Sequence, residues 1–136
     1  MRFDTKIAVV VRADLPTWQK LNMTAFLVSG IAATEAEIVG EPYEDASGTR
    51  YLPMFRQPVL VFGATAEQLR EVYRRAHSRE ARLAIFTDEL FSTGNDADNR
   101  AAVRAVAAED LAIAGLALHA PRNAVDKIVK GLALHT

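Results

Sequence analysis

Lys20 and Asp88 are the two residues whose types and positions suit them for shared chemistry. Lys20 precedes Thr24 by four residues, so a helix there carries an ammonium and a hydroxyl on one face. A lysine near a helix N-terminus works against the macrodipole by roughly 0.3–1 kcal/mol. A side chain kept there at a local cost is a functional candidate, unless it simply extends into water. Asp88 follows an apolar run and is placed to orient or neutralise Lys20, or only to close its strand beside Glu89. The Thr24 hydroxyl has an equally plain alternative in bonding back to a carbonyl of its own helix. His119 is able to donate or accept a proton but has no acidic neighbour in sequence, and His77 and His135 read as solvated.

What the chain lacks narrows the chemistry further. It has no cysteine, which removes disulfides, thiol catalysis and thiolate metal sites together. No glycine-rich dinucleotide or phosphate-loop fingerprint follows an apolar run, and no serine sits in a nucleophile-elbow setting. The three scattered histidines have no two-ligand helix spacing. The expectation is therefore no cofactor and no metal site.

The elements that would position these groups follow from periodicity. Lys6 to Ala13 is a β-branched apolar run suited to a central strand covered on both faces. From Trp18 to about Thr34 the spacing turns helical, with Leu21, Ala25, Val28 and Ala32 as one stripe, widened by Met23, Phe26, Leu27 and Ile31, of a mostly buried helix. Residues 36–55 scatter Gly40, Pro42, Gly48 and Pro53 and form either a hairpin or a long loop insertion. Further strands are expected at 57–62, 82–87 and 111–118, with Val10, Leu60, Ile85 and Ile113 in the core. Thr65-Ala66-Glu67-Gln68 reads as a capping box that opens a second helix. Asn95 caps a third helix, and Pro121 introduces a fourth. Residues 1–136 thus read as a single α/β domain, with a mixed or mainly parallel four-stranded sheet and helices on both faces. Ligands of such sheets gather beyond the carboxyl ends of the strands, which selects Asp14, Gly63, Thr87, Asp88 and His119.

The net charge of −1 recruits neither nucleic acid nor an anionic membrane. Arginines at 70, 74, 75, 79 and 82 concentrate positive charge locally, and such a run is ordinarily the solvated face of a helix. No apolar run approaches the roughly 20 residues of a membrane helix, so a cytoplasmic home is expected. The expected partner is an unidentified small ligand or protein, with self-association into a homodimer left open.

Val9-Val10-Val11-Arg12-Ala13-Asp14-Leu15 with Lys20, Pro58 to Phe62 before Glu67-Gln68-Leu69, Ile85 to Asp88, and Val125 to Leu132 together resemble the type II peptidyl-tRNA hydrolases. Gly40-Glu41-Pro42-Tyr43, Asn99 to Val103 and Lys130 to His135 resemble more closely a bacterial domain-of-unknown-function family, number two thousand, considered similar to that hydrolase fold. The resemblance implies a hydrolase-like fold with Lys20 and Asp88 as its catalytic pair. Ser92 or Thr93 would stand where the hydrolases carry a threonine hydroxyl, and with Asp14, Thr24, Thr87 and His119, which strand-end position and helix spacing select, Ser92 is expected among the binding groups. The hydrolases also have a glutamine and a histidine where this chain has Thr24 and Leu27, and an arginine after the aspartate where it has Glu89-Leu90-Phe91.

Three readings follow: a small-ligand or cofactor-independent hydrolytic site around Lys20 and Asp88, a non-catalytic protein-binding module, or retained peptidyl-tRNA hydrolysis. Leu27 transfers no proton, a role worth typically 10²–10⁴ in rate. Each donor missing from an oxyanion site costs about 10²–10³ more. An assay with N-blocked aminoacyl-tRNA is accordingly expected to show little or no turnover. Turnover at the level of a true hydrolase, abolished by Lys20→Ala, would refute that expectation.

Overall fold

The computed structural model describes residues 2–136. The central strand β1 (Thr5–Arg12) is buried from Ile7 to Val11, as its β-branched run requires. It pairs in parallel with β4 (Val59–Ala64) on one side and antiparallel with β6 (Ile113–Pro121) on the other. β5 (Ala84–Thr87) adds to β6 and the short β7 (Ala133–Leu134) to β4, both antiparallel. The sheet therefore has five strands in the order β5-β6-β1-β4-β7 and is mostly antiparallel. The sheet is mixed, one of the two expected arrangements, while the expected four strands and the mainly parallel alternative are corrected.

The reason lies in α3 (Asp96–Arg104). A parallel strand after β5 would need a helix that crosses the sheet, and such a helix must bury an apolar stripe. α3 buries no residue and packs on the Asp88–Ser92 turn. The chain thus re-enters the sheet from the rim where it left, and β6 runs backwards. His119, expected at the carboxyl rim, lies at the opposite one, paired with Ile7.

Helices cover both faces, as expected. α1 (Thr17–Thr34) packs Met23, Leu27 and Ile31 against Ile7, Val9 and Val11. α2 (Ala66–Ser78) and α4 (Arg122–Ile128) cover Ala8 and Val10 on the other face with Leu69, Val72, Val125 and Ile128. Of the expected apolar stripe, Met23, Leu27 and Ile31 are the buried part, whereas Leu21, Ala25 and Phe26 are exposed, as is Trp18. α1 comes close to β6 at Gly115, where an added Cβ would stand 2.7 Å from the Met23 sulfur. Of the expected core residues Val10 is fully buried, whereas Leu60, Ile85 and Ile113 are half-buried because each helix covers its face incompletely.

Capping follows the sequence at α2, where Thr65 and Gln68 bond reciprocally, and at α3, where Asn95 accepts from the Asp98 amide. α1 starts after Pro16 with no side-chain cap. The 36–55 segment is a hairpin. A 3₁₀ turn (Ala36–Ile38) leads into β2 (Tyr43–Glu44) and β3 (Arg50–Tyr51), and Val39 pairs with Phe55 at the base. Asp45 organises the tip by accepting from the Ser47 and Thr49 amides and the Tyr51 hydroxyl.

Leu116 is fully buried at the heart of the α2/α4 face. Leu116→Ala should cost about 2–5 kcal/mol, and Leu60→Ala clearly less. Equal losses on urea unfolding would contradict this placement of the core.

Candidate functional site

β1 feeds α1 on one face of the sheet and β4 feeds α2 on the other. The adjacent carboxyl ends of these parallel strands thus form a topological switch point, the usual place for a ligand in an open α/β sheet. Lys20 lies there, one turn into α1, with its Nζ 3.2 Å from the Ala13 carbonyl oxygen and 2.9 Å from His135 Nε2. His135 is held by its own backbone, whose N–H donates to the Val61 carbonyl at 2.8 Å. Its ring lies over Gly63, where even a methyl group would meet the imidazole at 3.5 Å. The chain's own C-terminal segment covers the switch point. His135 is exposed as expected, yet it is the partner of Lys20.

Asp88 bonds Arg12 at 3.0 Å, and Arg12 also holds Asp14 through Nε at 2.9 Å. Burial alone would lower the Arg12 pKa, but the Asp14 hydrogen bond and the Asp88 charge outweigh it and push it above its ordinary value. Lys20 and Asp88 thus occupy the same rim but share no hydrogen bond or ion pair among the described residues. Arg12 and His135, the partners that intervene, are not among the residues the sequence singled out. Arg12 was detectable by alternation, since it continues the Ala8 and Val10 face of β1 to the rim, whereas the return of His135 was not.

The remaining candidates scatter. Thr24 donates to the Lys20 carbonyl oxygen at 2.8 Å, the helix-internal alternative. Thr87 is buried and its hydroxyl has no partner. Ser92 is exposed at the end of the Asp88–Ser92 turn, and its neighbour Thr93 bonds the Leu90 carbonyl and Asn99.

Beside Asp88, on the α2 face, a cleft of about 820 Å³ opens between α2 and the 108–113 segment that leads into β6. Arg12 and Asp88 stand at one end, and Arg70, Tyr73, Arg74 and His77 form the α2 wall. Tyr73 and His77 stack with centroids 5.9 Å apart and planes 21° from parallel. Arg70 reaches the Glu109 carbonyl at 3.3 Å across the cleft. Arg75 turns away from it and donates to the Ile128 and Lys130 carbonyls, closing the C-terminal end of α4. The arginine run is therefore divided between a cleft wall and a structural tie.

At the opposite rim His119 meets the segment that follows α1. Its Nδ1 lies 3.8 Å from Glu35 Oε1 and its Nε2 lies 2.8 Å from Thr5 Oγ1. Glu37 joins them, its carboxyl held below its ordinary pKa by its own backbone N–H and by hydrogen bonding with the Glu35 side chain. The acidic partner that His119 lacked in sequence is supplied by Glu35, far away along the chain.

The Arg12–Asp88 pair is part-exposed, with 21% and 45% of the two side chains accessible. Asp88→Asn should accordingly shift global stability by only about 0–1 kcal/mol. A larger loss on thermal unfolding would assign the pair to folding rather than to the site.

A search of curated proteins finds no match. Among solved structures, a protein of unknown function from Agrobacterium tumefaciens is 46% identical, with a TM-score of 0.96 over 99% of this chain and 100% of that one. The family model described as protein of unknown function, DUF2000, matches residues 5–136. With the match spanning nearly its whole length, the chain belongs to the DUF2000 family.

Proposed function

We propose that this protein binds a small, flat ligand bearing a carboxylate or phosphate at the carboxyl rim of its sheet. The observation that carries this reading is the cleft with Arg12 and Asp88 at one end and Arg70, Tyr73, Arg74 and His77 along its wall. Its volume falls in the usual range of small-molecule sites, about 300–1,000 Å³. Arg12 engages its two carboxylates through Nε and Nη1, leaving the Nη2 donors for an oxyanion. The stacked Tyr73–His77 pair offers a flat wall for a ring or other planar group. Asp88 supplies an acceptor for a ligand N–H or O–H. Glu67 and Glu109 also line the cleft, so it is not uniformly positive. That mixture suits a ligand with both acceptors and donors better than the backbone of a nucleic acid, which needs several uncompensated cations.

Lys20 stands farther along the same rim. Binding without turnover is the simpler reading, because a catalytic Lys20 would first have to leave His135 and the Ala13 carbonyl. The resemblance to type II peptidyl-tRNA hydrolases is consistent with a framework that keeps its lysine and aspartate for recognition. A second reading as a protein-binding module draws on Trp18 and Leu21, exposed at 63% and 67% on α1, with Phe26 on its flank, 55% exposed and edge-on to Phe86. Apolar groups left outward in this way favour contact with a partner or a second copy. Sedimentation of the wild type and of Trp18→Ala distinguishes that reading.

The direct test is a screen of small carboxylates and phosphate esters by amide chemical-shift mapping. Hits should move the resonances of Arg12, Tyr73 and Arg74. Arg70→Ala or Arg74→Ala should each weaken binding about tenfold, the loss of one charge-assisted hydrogen bond. Hits that map elsewhere, or affinities unchanged in both variants, would reject this site.

A further inference from the structure

We propose that Glu35, Glu37 and His119 form a binding site for one divalent transition-metal ion of the zinc class, at the rim opposite the cleft. Three segments supply the donors. Glu35 follows the last turn of α1, Glu37 lies in the 3₁₀ turn, and His119 is near the end of β6. One donor atom from each lies within 4.8 Å of the other two. Metal bonds of about 2.0–2.2 Å place ligands of a common ion roughly 3–4 Å apart. The set needs only a small contraction, and exposed Glu37 is free to make it.

His119 is prepared as a ligand. Only 9% of its side chain is accessible. Its Nε2 lies 2.8 Å from Thr5 Oγ1, which in turn lies 3.3 Å from Gln57 Nε2 and 3.4 Å from Gln57 Oε1. Nδ1 faces the carboxylates, 3.8 Å from Glu35 Oε1, and a metal ion there would select the tautomer in which Nε2–H donates to Thr5 and the Nδ1 lone pair is free. Metal-bound imidazoles are oriented in the same way, by a hydrogen bond from the far ring nitrogen.

The electrostatics point the same way. Neither carboxylate forms an ion pair with a lysine or arginine among the described residues. The nearby guanidinium of Arg56 donates instead to the Glu37 carbonyl oxygen at 3.1 Å. Both acids stand at the C-terminal end of α1, whose last turn holds no basic residue, where the helix dipole favours a cation. Lone pairs from three donors thus converge on a point that a cation would neutralise. An imidazole with two carboxylates suits zinc or manganese, whereas calcium and magnesium prefer oxygen alone. A second cleft of about 340 Å³ adjoins Glu35 and His119, with Thr34 and Arg82 on its wall. It gives an ion held by these three ligands room for water or an oxyanion at its remaining positions.

Calorimetric titration of the metal-stripped protein with zinc, manganese and calcium chlorides tests the proposal. Zinc should bind at one ion per chain with a micromolar or tighter Kd, and calcium at least tenfold more weakly. Glu37→Gln, an isosteric change at an exposed position, and His119→Ala should each weaken zinc binding tenfold or more, while Glu80→Gln leaves it unchanged. Zinc should also shift the His119 ring resonances in NMR spectra of the wild type. Absence of stoichiometric zinc binding, equal affinity for calcium, or an affinity unaltered in Glu37→Gln would overturn the proposal.

Discussion

Burial of β1 on both faces is the constraint on which the rest of this molecule depends. Ile7 to Val11 alternate between two apolar layers with almost no solvent access. Each isoleucine or valine of this run contributes roughly 1.5–3 kcal/mol when removed from water, and neither layer can be left uncovered. Helices on both sides of adjacent parallel strands answer that demand, with α1 against the odd-numbered positions and α2 with α4 against the even-numbered ones. The same arrangement opens the carboxyl ends of β1 and β4 in opposite directions. The candidate site at that rim is a by-product of covering the core.

α1 carries charge of the unfavourable sign at both ends. Lys20 lies near its positive end and Glu35 and Glu37 beyond its negative end. Each is reconciled by tertiary partners rather than by the helix. Lys20 reaches a carbonyl and the imidazole of the returning C-terminal segment. The two glutamates gather around His119, which β6 delivers to that rim. A helix that opposes its own dipole at both ends spends local stability on groups facing two different edges of the sheet.

Much of the architecture was legible along the chain. The β-branched run of β1, the Thr65–Gln68 capping box and the Asn95 cap are local features whose causes lie within a few residues, and they appear where periodicity and cap chemistry put them. Which part of the wide apolar stripe of α1 turns inward was not legible. The surface it meets selects Met23, Leu27 and Ile31 and leaves Leu21 and Ala25 outward. Asp88 was recognisable as a residue at a strand end. Its pairing with Arg12 was not, because an ion pair between distant segments leaves no spacing to read, although alternation alone carries Arg12 to the rim.

By itself the sequence determined that a buried central strand would be flanked by helices, and that a lysine and an aspartate would stand near the same rim. Only the tertiary structure decided the direction of β6. Hydrophobic periodicity records how often a side chain returns to a face, and it is the same for a strand running either way. Direction depended on whether α3 crossed the sheet, which its lack of a buried stripe prevented. That one reversal carried His119 away from Asp88 and set it beside Glu35 and Glu37.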